Sequence, residues 1–107
     1  MRAEGSGQLI AEIQVLPTPA GTATHRWAHV DSAIDVITRS GLNYEVGPLG
    51  TTVEGTPDAV WDTVRRGHEA ALAHGASGVL TVIEVLEETD GTSTMHTLTE
   101  SHRARRG

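Results

Sequence analysis

The chain has 107 residues, 37% of them hydrophobic, and a formal charge of −6 from 14 acidic residues against 8 arginines. Its length sets a single domain, and its acidity argues against nucleic acid as a partner, because phosphate binding needs a basic patch. Cysteine, lysine and phenylalanine are absent, which excludes disulfides, thiolate catalysis, Cys-based zinc sites and Schiff-base chemistry on a side-chain amine.

No apolar run is long enough to span a bilayer, and residues 1–7 lack the apolar core of a signal peptide. No membrane partner and a cytoplasmic location are therefore expected. Residues 8–16 (QLIAEIQVL) alternate imperfectly between apolar and polar and stop at Pro17, which predicts a strand. The loop PTPAGTAT follows. Trp27, Val30, Ala33, Ile34 and Ile37 then recur at helical spacing, and Gly41 supplies the stop.

Residues 40–55 (SGLNYEVGPLGTTVEG) read as a helix stop, a strand, a Gly-Pro-Leu-Gly turn and a second strand ending in a carboxylate. Thr56 can cap a second helix, with Pro57 at its first position and Val60, Trp61, Val64, Ala71 and Leu72 as its apolar stripe. Trp61 is expected in the core. Residues 79–85 (VLTVIEV) are nearly continuously apolar, as in a strand covered on much of both faces. Beyond Glu87 the chain turns polar. Residues 1–88 are thus expected to form the domain and 89–107 a loosely held tail, with Arg103, Arg105 and Arg106 at its end.

The order β-α-β-β-α-β predicts an α+β, ferredoxin-like fold, a four-stranded antiparallel sheet with two helices on one face. The other face carries apolar residues such as Leu80 and Val82. Left bare it would be a liability, so it is expected to be buried in a homo-oligomer.

No catalytic constellation stands out. His68 and His74 are six apart and lie on different helical faces, unlike the paired histidines of a zincin helix. His25 and His29 can share a face but lack a third ligand, so no metal is expected. The serines lack an elbow, and GPLGT lacks the lysine of a phosphate loop. Two carboxylates fall inside strands, Glu12 and Glu54. Each either meets solvent or an arginine such as Arg26 or Arg65, or accepts hydrogen bonds from a cationic or amino-bearing ligand. Trp27 either packs in the core or lines a pocket for a flat heteroaromatic or cationic guest.

The run SGLNYEVGPLGTTVEG, the helical RRGHEAALAHGA and the apolar strand after it resemble the small YkoF-like thiamine-binding proteins. The first strand fits as well, with Glu12, Val15 and Pro17 followed by Gly21 and Thr22. The resemblance spans residues 11–84. It implies a ferredoxin-like subunit that forms homodimers or homotetramers through its sheet. It also implies binding of thiamine (vitamin B1) or its hydroxymethylpyrimidine part, with neither catalysis nor a cofactor.

Carried over residue by residue, the ligand contacts are Thr22, Thr51 and Glu54, with Tyr44 as a structural companion. Glu12, Trp27 and His29 complete the candidate set. Trp27 and His29 depart from the serine-rich stretch of family members and are expected to reshape a pocket there. The rival expectations are a cofactor-less monooxygenase-type enzyme, with His29 and Trp27 as the reactive pair, and a metabolite-sensing regulatory module.

Overall fold

The computed structural model describes residues 8–103. Four strands, β1 (Leu9–Thr18), β2 (Asn43–Val46), β3 (Thr51–Gly55) and β4 (Gly78–Glu87), form one antiparallel sheet in the order β2-β3-β1-β4. Helices α1 (Ala28–Thr38) and α2 (Pro57–Leu72) cover one face. The expected ferredoxin-like α+β architecture is the observed one.

Local chemistry sets the boundaries. Thr56 caps α2 by accepting the Ala59 amide at 3.4 Å, and Pro57 opens the first turn. Gly41 and Gly75 follow the two helices with φ of +84° and +112°, the left-handed region in which a side chain is strained. In the turn between β2 and β3 the Gly47 amide donates to the Gly50 carbonyl at 2.8 Å.

The core lies between helices and sheet. Leu9, Ala11 and Ile13 of β1 and Val53 of β3 meet Ile37 of α1 and Val60 and Val64 of α2. Cross-strand register puts Ile10, Glu12, Asn43, Glu45, Thr52, Glu54, Leu80, Val82, Glu84 and Leu86 on the opposite face.

Several expectations are corrected. β1 continues through Pro17 to Thr18. Its pairing with β3 ends at Ile13, so beyond that point it borders β4 alone, and a missing N–H is tolerated where one side has no ladder. β4 is not a doubly covered strand but an edge, with Val82, Ile83, Val85 and Leu86 exposed and Leu80 64% exposed. Trp61 is 49% exposed. It sits about 100° round the helix from Val60, off the buried stripe of Val60, Val64, Gly67 and Ala71. It lines a groove with Arg65, His68 and Thr81, where His68 Nδ1 lies 2.6 Å from the Thr81 hydroxyl and ties α2 to β4.

The supposed tail contains a third helix, α3 (Met95–Arg103). Thr94 caps it by accepting the Thr97 amide at 3.0 Å, and Met95 is buried. Glu54 holds its start. Oε1 accepts the Met95 amide at 2.8 Å, and Oε2 accepts Asn43 Nδ2 at 2.7 Å. A buried carboxylate thus finds donors at a helix N-terminus, where negative charge is favoured. Neither Arg26 nor Arg65 is its partner. Arg105 and Arg106 lie outside the described residues.

Glu54→Ala leaves the Met95 amide and the Asn43 side chain without their acceptor. The expected cost is about 2 kcal/mol, or roughly 10 °C in the melting midpoint of a domain this size, with loss of helical signal. Calorimetry with far-ultraviolet circular dichroism checks both.

Candidate functional site

β1 outruns β3 by residues 14–18, and the gap left beside it is not filled by another strand. The 47–50 turn and α1 arch over this gap and border a cavity of about 390 Å³. That volume lies in the range of roughly 300–1,000 Å³ usual for small-molecule sites. Ile13 and Val15 form its floor, Val30, Ala33, Ile34 and Ile37 its helical wall, and Pro48 and Leu49 its far side.

Polar residues are few: Gln14 of β1, Thr51 and Asp31, with the indole of Trp27. The buried Thr51 contributes the first residue of β3. At the other end Trp27, 53% exposed, precedes α1, with the Arg26 guanidinium 5.4 Å from the indole centroid. Asp31, one turn into α1, supplies the one acidic side chain of the lining, and its Oδ2 lies 2.9 Å from His25 Nε2. Neither histidine nor serine is among the lining residues.

The loop before α1 is folded tightly enough to fix Trp27. The Thr22 amide donates to the His25 carbonyl at 2.8 Å and the His25 amide to the Thr22 hydroxyl at 3.0 Å. A Cβ on Gly21 would stand 2.2 Å from the Arg26 carbonyl oxygen, so only glycine fits there. Thr22 is therefore part of the turn that carries Trp27, not of the cavity wall.

The structure separates the remaining candidates. His29 is buried, with Nδ1 2.7 Å from the Pro19 carbonyl oxygen and Nε2 3.0 Å from that of His74. Both ring nitrogens are engaged with backbone, and His29 fastens α1 to the loop after β1 and to the end of α2. It is not paired with Trp27 as a reactive couple, and it does not meet His25. Among the described residues no group of three His, Asp or Glu side chains could hold a metal ion. Glu12 is exposed on the opposite face of the sheet, where a Cβ on Gly50 would lie 3.0 Å from its Oε2. Glu54 stands on that face too, turned to α3. Tyr44, on the edge strand, is partly exposed and does not line the cavity.

Of the expected contacts, Thr51 and Trp27 are brought together at the cavity. Asp31 was missed. Its signal is the spacing from Trp27, since positions four apart share a helical face. The arrangement suits a flat molecule with an apolar body. Thr51 can hydrogen-bond one end, while at the other the Asp31 carboxylate favours positive charge and the indole, over which the Arg26 guanidinium already lies, offers a flat surface for stacking.

Comparison with known proteins agrees with the fold and reaches past the sheet. The chain is 30% identical over 73 residues to a UPF0045 protein of Clostridium perfringens, covering 68% of this chain and 75% of that one. A domain of unknown function (DUF77) from Bacillus cereus superposes with a TM-score of 0.81 at 30% identity, over 94% of each chain. A structure from Thermotoga maritima, put forward as a thiamine biosynthesis/salvage protein, gives 0.75 at 26% identity over 90% of this chain and 99% of that one. The thiamine-binding protein family matches residues 11–103, so α3, which the sequence resemblance left outside, lies within the family's pattern. On that match the chain belongs to the thiamine-binding protein family.

Proposed function

We propose that the chain binds thiamine or its hydroxymethylpyrimidine part in the cavity between β1, α1 and the 47–50 turn, without catalysis, in transport, storage or sensing. The observation that carries this reading is the cavity's lining: apolar walls, the Thr51 hydroxyl at one end, and Trp27 with Asp31 at the other. An aminopyrimidine presents donors and acceptors in one plane, and a thiazolium is a permanent cation. The first suits Thr51. The second suits an indole beside a carboxylate, within a chain whose net charge is −6. The thiamine context of the Thermotoga maritima structure supports the same class of ligand.

Self-association belongs to this reading. β4 is a ten-residue edge with apolar side chains on both faces, and long apolar edges need a cover. We place the protein in the cytoplasm as a homodimer or homotetramer. No helix among the described residues is long and apolar enough to cross a membrane.

Titration calorimetry tests the ligand. Saturable heat with thiamine is expected, and silence at millimolar thiamine and hydroxymethylpyrimidine would reject the proposal. Trp27→Ala should weaken thiamine binding about tenfold, equivalent to about 1.4 kcal/mol, while the melting midpoint stays within about 2 °C, because the indole is half exposed. Asp31→Asn separates the two halves of the ligand. It should cost thiamine about fivefold and leave hydroxymethylpyrimidine, which has no permanent charge, unchanged. Equal losses for both would mean that Asp31 does not act by charge.

A further inference from the structure

Asp31 is the sole titratable side chain in the lining of the cavity; β1, the 47–50 turn and β3 bring none to it. The charge at that end is therefore set by whatever meets Asp31 from outside. Among the described residues one side chain does so: His25, with Nε2 2.9 Å from Asp31 Oδ2. His25 does not itself line the cavity.

The backbone of His25 is held in the turn before α1. Its carbonyl accepts the Thr22 amide at 2.8 Å and the Ala28 amide at 3.1 Å, and its own amide donates to the Thr22 hydroxyl at 3.0 Å. The ring is thus carried on a fixed base to the first turn of α1, where Asp31 stands. An acid in a first turn already suits the helix dipole, so helix stability alone does not call for the histidine.

Histidine is the side chain whose charge changes near neutral pH. A neutral His25 leaves the carboxylate its full charge, whereas an imidazolium makes an ion pair and cancels most of the field that Asp31 sends into the cavity. The two side chains are 61% and 49% exposed, so water screens the pair and the effect is a matter of severalfold. The other charged groups nearby do not stand in for His25. Arg26 lies over the Trp27 ring and keeps its charge throughout. His29 has both ring nitrogens on backbone carbonyls. Asp35, Arg39 and His74 line a separate cleft between α1 and the end of α2, and Glu12 lies across the sheet against Gly50.

We propose that His25 sets the charge at the acidic end of the cavity and so decides between cationic and uncharged ligands. Neutral, it leaves Asp31 to a thiazolium; protonated, it takes Asp31 for itself. His25 is a positioning residue that acts on the ligand through Asp31. The inference rests on the cationic-ligand reading above and adds to it a preference that changes with pH.

Titration calorimetry of the full chain with thiamine and with hydroxymethylpyrimidine, from about pH 8 to about pH 6, tests it. The dissociation constant for thiamine should rise about threefold to fivefold as pH falls, while that for hydroxymethylpyrimidine stays within about twofold. His25→Gln keeps a neutral donor beside Asp31, so thiamine should bind it at the acid limit as tightly as it binds the unaltered protein at the alkaline limit. His25→Arg should bind thiamine about fivefold more weakly at both limits, and Asp31→Asn should show no slope. Circular dichroism confirms that each variant is folded. If thiamine binds but His25→Gln keeps the whole pH dependence, or if both ligands lose affinity equally, the inference falls and the binding reading stands. If thiamine does not bind at the alkaline limit, the reading fails and the inference with it.

Discussion

β1 and β3 begin their pairing at Leu9 and Gly55 and lose it at Ile13 and Thr51, although β1 runs on to Thr18. That mismatch in strand length is the constraint on which the rest depends. Where β3 stops, the chain turns back through Gly47 to Gly50, and the space beside the free edge of β1 must be closed by something other than a strand. Helix α1 and the loop before it do this, from Trp27 onward. A longer β3 would fill the cavity with backbone. The site is thus a property of sheet register before it is a property of any side chain.

The same sheet holds two unlike polar residues three positions apart. Thr51 faces the helices and the cavity, while Glu54 faces away and receives the Met95 amide. Alternation along a strand sends them to opposite faces. A reading that groups them as one ligand set is natural from the sequence, where they sit in one short motif. Parity separates them.

The fold was legible in sequence because its punctuation is chemical. Gly41, Thr56, Pro57 and Gly75 end and start helices for reasons independent of the tertiary structure. What escaped was whatever depends on neighbours. The apolar run at β4 looks the same whether a strand is covered or at an edge, and only the sheet order shows Leu80 exposed. Trp61 belongs to a run of apolar helix residues, but the packing angle of α2 leaves it outside. Helix α3 has a cap at Thr94 and Met95 and Leu98 spaced three apart, a pattern too short to stand out from a polar tail. Asp31 lies among apolar residues of α1, and its place at the cavity follows from how that helix sits over β1.

The central seam of the sheet has a further consequence. β1 pairs along its whole length with β4, from Leu9 opposite Glu87 to Thr18 opposite Gly78. β1 and β4 are therefore mutual neighbours, and the contact that closes the sheet joins residues far apart in sequence, as Leu9 and Glu87 are. Such long-range pairing raises contact order and slows folding, since loop-closure entropy must be met before the contact forms. During synthesis the β2–β3 hairpin and both covering helices emerge before β4 exists. Until then the side of β1 that faces β4 has no partner strand. The sheet is therefore complete only once β4 has been made.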